Sequence, residues 1–402
     1  MRPEIRAKLT EALNAVFEKI SAEGSRIFAT EGDRHAFVFG IRAARKKNQR
    51  KPRRCSFPGC ANMSIPSSHS LQRNGPLAAI AEEGHVLTPE VSLTKGRLDM
   101  IRIGIGEAST FPGFCSEHER VFSELERRRD LAKDEDIALQ VFRTICREIV
   151  IKRQQVDDCK LWLKSWENVV NNRAVEILEE KLAESLSEYL PLRSISVRGT
   201  RLEEALCTQL ARLEHEASDL ETEFLPKSFE EVNRGSDGLS HFVCRIGQYI
   251  PVCLAGLGTF HVKANEQVAS VSCILNIWPT TDGVTISMAV SKPHNDFLQA
   301  YLSRQLNRSI GVLEMVETWM VRGSDHWFIK PSCWTRIPPD RQLNILEDIL
   351  DCSLNIGTPY SLSIFDELRE DAVGAPDVEG HPPTDKAWEI SKLRLSPSRG
   401  IL

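Results

Sequence analysis

Apolar residues recur at every third or fourth position along much of the N-terminal half, and this spacing predicts amphipathic helices. The predicted helices cover residues 4–21, 116–130, 134–190 and 202–224. Residues 34–44 fit either a strand or a buried helix. The stretch 55–118 is rich in Gly, Pro, Ser and Cys and shows little periodicity, which is typical of a small domain held together by a metal ion.

Beyond residue 240 the apolar positions alternate or run together, and this pattern predicts β-strands. The predicted strands are 242–246, 258–263, 269–278 and 284–290, and helices follow at 294–307, 310–321 and 339–352. Four aromatic residues cluster in the same region: Tyr301, Trp319, Trp327 and Trp334. We expect them to cover one face of the sheet, and stacking against a ligand is the alternative.

These patterns combine into an α+β fold in three parts. Residues 1–126 form an N-terminal helix, a basic segment and a metal-stapled module, and residues 127–228 form a long helical hairpin. Residues 241–369 form a C-terminal α+β domain built on an antiparallel sheet. We expect the tail at 370–402 to be flexible because it is rich in proline and acidic residues. With 402 residues, the chain is long enough for two or three domains.

The predicted helix at 202–224 carries a regular apolar seam. Its positions are spaced alternately by four and three residues: Leu206, Leu210, Leu213, Ala217, Leu220 and Phe224. Such spacing suits packing against a second helix. That helix belongs either to the same chain, in a hairpin or bundle, or to a second molecule, so a homodimer or a partner protein is one of the interpretations.

Charge is distributed unevenly along the chain. The whole chain has a net charge of −5, whereas residues 1–60 carry +8. Most of this excess lies in the basic segment 42–54, whose eight basic residues are Arg42, Arg45, Lys46, Lys47, Arg50, Lys51, Arg53 and Arg54. The segment suits contact with nucleic acid, because each base displaces a counterion condensed on the phosphates. A solvated basic loop, or a clamp onto the acidic remainder of the chain, is the other interpretation.

The composition also bears on the compartment. No apolar run reaches the ~18–20 residues that a membrane-spanning helix needs, and the first twenty residues lack the apolar stretch of a secretory signal. Eleven scattered cysteines are then typical of reduced thiols. We therefore expect a cytoplasmic protein without a membrane partner, in which some of the cysteines bind a metal.

Two pairs of soft ligands stand out. Cys55 and Cys60 flank a turn at Pro58-Gly59, which directs both thiolates towards one ion. Cys115 and His118 lie far downstream, at a spacing of three that places both on one face of a helix opening. The two pairs predict a structural, tetrahedral Zn²⁺ site. The alternative is four unrelated side chains, two of them buried thiols.

The order of these motifs carries a resemblance. A Ser-His step at His69 follows the first ligand pair, and the segment Gly113–Glu126 opens a helix with the second pair. This arrangement resembles the treble-clef module of zinc-containing HNH-type endonucleases. More narrowly, it is similar to an uncharacterised bacterial HNH-like group, some of whose members resemble phage-defence components. The likeness covers residues 50–126.

The resemblance implies roles for individual residues. The two ligand pairs would hold the structural zinc, and His69 would be the general base that activates water against a phosphodiester. Glu119 would hold Mg²⁺ or Mn²⁺ on the scissile phosphate. Ser68 stands where many active members carry an acidic ligand, and His118 replaces the usual fourth thiolate.

Two hypotheses of function result. The favoured one is an HNH-like, zinc-binding protein that engages nucleic acid, either by binding alone or by cutting it as a metal-dependent endonuclease. A role in bacterial antiviral defence is implied by the resemblance alone. The other is a non-catalytic protein with a structural zinc, in which the helical hairpin is an oligomerisation element and the C-terminal domain is a sensor or interaction platform.

Overall fold

The computed structural model describes residues 10–374 apart from short gaps at 17, 19, 21–26, 29, 50, 93–96, 183–196, 236–237, 265–266, 307–308 and 351–354. The predicted α+β class is confirmed, with a long helical hairpin region and a seven-stranded antiparallel sheet. Arg50 and the part of the predicted flexible tail beyond residue 374 lie outside the described residues.

Several helices lie close to the segments that the apolar spacing predicts, whereas those at 225–234, 331–336 and 366–374 were not predicted. Their bounds are α1 Glu31–Gln49, α2 Ser123–Arg128, α3 Asp134–Leu182, α4 Arg201–Asp219, α5 Leu225–Arg234, α6 Asn295–Leu306, α7 Ser309–Thr318, α8 Pro331–Arg336, α9 Pro339–Leu350 and α10 Asp366–Gly374. Residues 34–44, which fitted two patterns, are helical. None of the helices in the described part of the chain combines the length and apolar character needed to cross a bilayer.

Local chemistry accounts for several helix ends. The Thr30 backbone N–H donates to the Asp33 carboxylate at 3.0 Å, and the Asp33 N–H donates back to the Thr30 hydroxyl at 3.1 Å, so the two residues cap α1. Pro226 lies in the first turn of α5, where its missing N–H has no partner to lose. Gly235 ends α5 in a left-handed conformation, with φ of 63°.

In the described part of the chain, nine strands form two antiparallel sheets. Their bounds are β1 Ser68–His69, β2 His85–Ser92, β3 Arg97–Gly104, β4 Thr110–Phe111, β5 Leu239–Ile246, β6 Val252–Ala264, β7 Gln267–Pro279, β8 Val284–Ser291 and β9 Trp327–Ile329. The small sheet pairs β1 with β4, and the large sheet has the order β3-β2-β9-β6-β7-β8-β5. The hairpin β2–β3 comes from the cysteine-bearing stretch 55–118 and joins the large sheet through β9.

The chain divides into two compact units. One unit consists of residues 1–51 and 151–218, and the other consists of residues 52–150 and 219–402. In the first unit, α4 packs antiparallel to the second part of α3, as the ion pair between Lys152 and Glu216 (2.6 Å) and the hydrogen bond from Trp166 to Thr200 (2.9 Å) record.

The predicted apolar seam is buried against the chain's own residues. Leu213 lies in a cluster with Val156 and Cys159, and Leu206 and Leu210 pack against that cluster. Further along the same seam, Leu220 and Phe224 belong to a core cluster of the second unit. These residues of the seam therefore pack within the chain, which is the first of the two interpretations of the pattern.

In the second unit, the large sheet is covered on both faces. One face packs against the C-terminal helices, and the four predicted aromatic residues are all buried there: Tyr301, Trp319, Trp327 and Trp334. The other face packs against the first part of α3 through Val141 and Ile145. Because both faces are covered, β8 is buried along its whole length, although its sequence includes Thr285, Ser287 and Ser291.

A buried ion pair joins α7 to α10 in the same unit. The side chains of Glu317 and Arg369 are both fully buried and in contact. The Glu317 carboxylate also accepts the backbone N–H groups of Ile364 (2.8 Å) and Phe365 (3.3 Å). The Glu317 carboxylate therefore links α7 to α10 and to the segment that precedes α10.

We predict that Glu317→Gln lowers the free energy of unfolding by about 3 kcal/mol, because it leaves the Arg369 charge buried without a counter-charge. Urea denaturation followed by tryptophan fluorescence measures the loss. The control is Arg336→Ala, which removes an exposed ion pair with Glu367 and is expected to cost less than about 1 kcal/mol. Equal losses in the two variants would contradict the prediction.

Candidate metal centre and adjoining polar cluster

The four predicted ligands meet at one point. The ligand atoms of Cys55, Cys60, Cys115 and His118 all lie within 4.8 Å of one another, although the two pairs are more than fifty residues apart in the sequence. Within the described part of the chain, no other set of three or more Cys, His, Asp or Glu ligands converges in this way.

The distances between the ligand atoms fit a tetrahedral zinc site. With Zn–S bonds of ~2.3 Å and a Zn–N bond of ~2.0 Å, tetrahedral geometry places two sulfurs ~3.8 Å apart and a sulfur and a nitrogen ~3.5 Å apart. The Sγ atoms of Cys60 and Cys115 are 3.9 Å apart. His118 Nδ1 lies 3.3 Å from Cys115 Sγ and 3.6 Å from Cys55 Sγ. The group can therefore hold a zinc ion.

A tight turn brings the first pair together. The Cys60 backbone N–H donates to the Phe57 carbonyl at 3.1 Å, and Gly59 has a φ of 81°, a conformation that glycine adopts without strain. The Phe57 ring stacks on the His118 imidazole, with 4.0 Å between centroids. This stacking fixes the orientation of the only nitrogen ligand.

The second pair lies in the turn that leads into α2. The backbone N–H of His118 is the largest influence that lowers the pKa of the Cys115 thiol to about 6. Burial raises the pKa of the Cys55 thiol to about 11. A bound Zn²⁺ deprotonates both thiols, because the metal ligand is the thiolate.

The two predicted catalytic residues reach one polar cluster beside this centre. His69 lies on β1, opposite Thr110 on β4. Glu119 directly follows the ligand His118 in the sequence. Both side chains are half-buried. His69 Nε2 and Glu119 Oε2 each lie in the interior without a hydrogen-bond partner among the described residues. The cluster therefore holds two buried polar atoms that no described residue satisfies.

Arg143 on α3 connects the cluster, and sequence reasoning missed it. Its guanidinium is fully buried, 2.8 Å from the Glu126 carboxylate and 3.6 Å from the Glu119 carboxylate. It also lies over the Phe122 ring, at 3.9 Å from the ring centroid. The available signal was an arginine within the apolar helical run of α3.

The environment sets the charge of the two predicted residues. Burial, followed by the Arg143 charge, lowers the pKa of His69, so the imidazole stays neutral and able to accept a proton. Its contacts also include the backbone of Gly106 and the charges of Glu126 and Arg73. Burial raises the pKa of Glu119, and Arg143 and a hydrogen bond from Ser68 oppose that rise.

The cluster does not fit the predicted Mg²⁺ or Mn²⁺ ion at Glu119. Arg143 already supplies the counter-charge to Glu119 and Glu126, and no third hard ligand converges on them among the described residues. A divalent ion ~5 Å from the guanidinium would be repelled by roughly 7 kcal/mol at an effective dielectric constant of ~20.

The basic segment is divided in its exposure. Arg42, Arg45 and Arg53 are half-buried, whereas Lys46, Lys47, Lys51 and Arg54 are exposed. Arg45 lies 3.4 Å from Asp158 on α3, in the same unit. This ion pair is a contact of the kind expected if the basic segment packs against acidic residues of its own chain. Lys46 and Lys47 lie in the last turn of α1, where they also favour the helix dipole. The exposed bases remain available for a polyanion.

We predict one zinc ion per chain, measured by elemental analysis of the purified protein. Cys115→Ser is expected to lose the ion and to make residues 52–126 more sensitive to limited proteolysis, because metal binding contributes directly to the folding of small modules. Cys207→Ser, which changes an exposed cysteine on α4, is the control and should keep the ion. Native protein without stoichiometric metal would contradict the assignment.

Comparisons with known proteins do not add to the assignment of the metal centre, which rests on the geometry of its four ligands. The chain matches no protein-family model, no curated protein and no solved structure. The structure therefore shows a Cys₃His cluster suited to a zinc ion.

Proposed function

We propose that the protein binds nucleic acid and cleaves it at His69, in a treble-clef-like module that a structural zinc ion holds together. The observation that carries the proposal is the contact of Arg143 with Glu119 (3.6 Å) next to the ligand His118, together with the influence of the Arg143 charge on His69. A neutral imidazole that faces fixed charges is suited to general base catalysis on a phosphodiester.

The exposed bases of the basic segment support binding to a phosphate backbone. Lys46, Lys47, Lys51 and Arg54 are exposed, and the segment 42–54 contains no acidic residue that would repel phosphate. Such contacts act without reference to base sequence, because they recognise phosphate charge. Antiviral defence and a cytoplasmic location stay predictions from the sequence, as do an oligomeric partner and the HNH likeness.

We predict that His69→Ala lowers cleavage of nucleic acid by about 100-fold or more, because it removes the base. His35→Ala, which changes an exposed histidine on α1, is the control and should leave cleavage unchanged. Gel assays on labelled strands measure both variants. Equal cleavage by His69→Ala and the native protein would remove His69 from the mechanism, and binding without cleavage would favour the non-catalytic alternative.

The pH dependence has a defined direction. The pKa of His69 lies below its ordinary value, so the imidazole remains neutral and active at pH values where an exposed histidine is already protonated. We expect the cleavage rate to fall only below about pH 6.5. A rate that already falls above that pH would contradict the assignment of His69 as the base.

We predict that glutamine substitution of Lys46, Lys47, Lys51 and Arg54 weakens binding and makes it less sensitive to salt. The slope of log affinity against log salt concentration should decrease in magnitude by about 3 to 4, since four phosphate contacts are lost. A variant with Arg127, Lys160, Arg198 and Arg212 changed to glutamine loses the same charge elsewhere and is the control. Equal slopes for the two variants would exclude the basic segment from the interface.

A further inference from the structure

Helix α1 packs against α3 through one of its faces. The Phe37 ring meets the Trp162 ring of α3 edge to face, with 5.8 Å between ring centroids. Ile41 is buried, and the Asn48 side chain donates to the Asp158 carboxylate of α3 at 2.9 Å. These contacts decide which side of α1 faces the rest of its unit and which side faces solvent.

Phe39 lies on the outer face of the same helix. Two residues advance an α-helix by about 200°, so Phe37 and Phe39 lie on opposite sides of α1. Phe39 is 71% exposed, the largest exposed fraction of any large apolar residue in the part of the chain that the structure describes. The outer face of α1 therefore presents an aromatic ring to solvent.

The same face carries positive charge. Seven residues complete nearly two helical turns, so Lys46 lies in line with Phe39, about 10 Å further along the axis. Lys46 and Lys47 are both exposed. The two acidic residues of α1, Glu31 and Asp33, lie in its first turn, where one forms an ion pair and the other caps the helix. A polyanion that lies along the second half of α1 therefore meets no carboxylate of this helix.

We propose that the outer face of α1 binds single-stranded nucleic acid, with an unpaired base stacked on Phe39 and neighbouring phosphates held by Lys46 and Lys47. The inference rests on the proposed function and names the form of its substrate. An aromatic ring stacks on a base of any identity, provided that the base is not enclosed in a duplex. This face therefore selects single strands over duplexes without reading their sequence.

Charge and side-chain size favour this occupant over two others. Helix α1 contains five basic residues and two acidic ones, so the α1 helices of two copies of the chain would repel each other. A helix that binds a lipid surface inserts several large apolar side chains. The other exposed positions in the middle of this face are Ala36, Gly40 and Ala43, which are too small to insert. A polyanion with planar bases matches both the charge and the single ring.

The test measures binding of the full-length protein to labelled oligodeoxythymidine and to a DNA duplex of the same length, by fluorescence anisotropy. Every protein in the series carries His69→Ala, so that the strands stay intact. Phe39→Leu keeps an apolar side chain but removes the ring, and we expect it to lower the affinity for the single strand about fivefold or more. Its affinity for the duplex should change by less than about twofold. The slope of log affinity against log salt concentration should stay the same, because no charge is lost.

Two further variants test the stacking itself. Phe39→Trp should bind the single strand at least as tightly as the parent protein. Its fluorescence should fall on addition of the strand by more than that of the parent, since a stacked base quenches the indole. Leu343→Ala, which shortens an exposed apolar side chain on α9, is the control and should leave both affinities unchanged.

The outcomes distinguish this inference from the function on which it rests. Equal affinity of Phe39→Leu and the parent for the single strand would overturn the inference and leave the proposed function in place, because the exposed bases bind phosphate without the ring. A parent protein that binds neither the single strand nor the duplex would overturn both.

The other occupants of this face have their own readouts. Light scattering of the parent and of Phe39→Leu measures self-association, and sedimentation with vesicles of phosphatidylcholine and phosphatidylserine measures lipid binding. A dimer or a vesicle complex that Phe39→Leu abolishes, with the affinity for the single strand unchanged, would overturn the inference and assign the face to a second copy or to a lipid surface.

Discussion

The Cys₃His centre is the constraint on which the geometry of the site depends. It closes a loop of more than fifty residues between Cys60 and Cys115, and His69 lies inside that loop. The closure holds β1 beside β4, with Ser68 opposite Phe111. An ion that binds both pairs therefore also fixes the distance between the imidazole and the turn that carries Glu119.

The cluster beside this centre combines burial with charge. A fully buried guanidinium is costly unless it is paired, and Arg143 meets this condition through Glu126 and Glu119. The same arrangement lowers the pKa of His69, and several polar atoms of the cluster have no hydrogen-bond partner among the described residues. Unsatisfied buried groups destabilise a fold, and they are found where a bound group completes the interactions.

Apolar periodicity predicted helices and strands well where the pattern within one segment is enough to identify the element. The strands 269–278 and 284–290 and the helix 294–307 are confirmed within a few residues. The hairpin β2–β3 was missed because burial does not alternate along its two strands. Its link to the large sheet joins Leu87 to Ile329, more than two hundred residues away. Short-range pattern contains no information about such pairing.

The sequence by itself determined the ligand pairs, because the chemistry of soft ligands and the turn at Pro58-Gly59 are local properties. It also determined that the segment 42–54 is basic. Only the tertiary structure decided which of those bases are exposed and that Arg143 faces Glu119, since α3 and the metal-bearing loop meet by packing. The metal ligands can be identified from short sequence motifs, whereas the electrostatics of the site depends on side chains that are distant in the sequence.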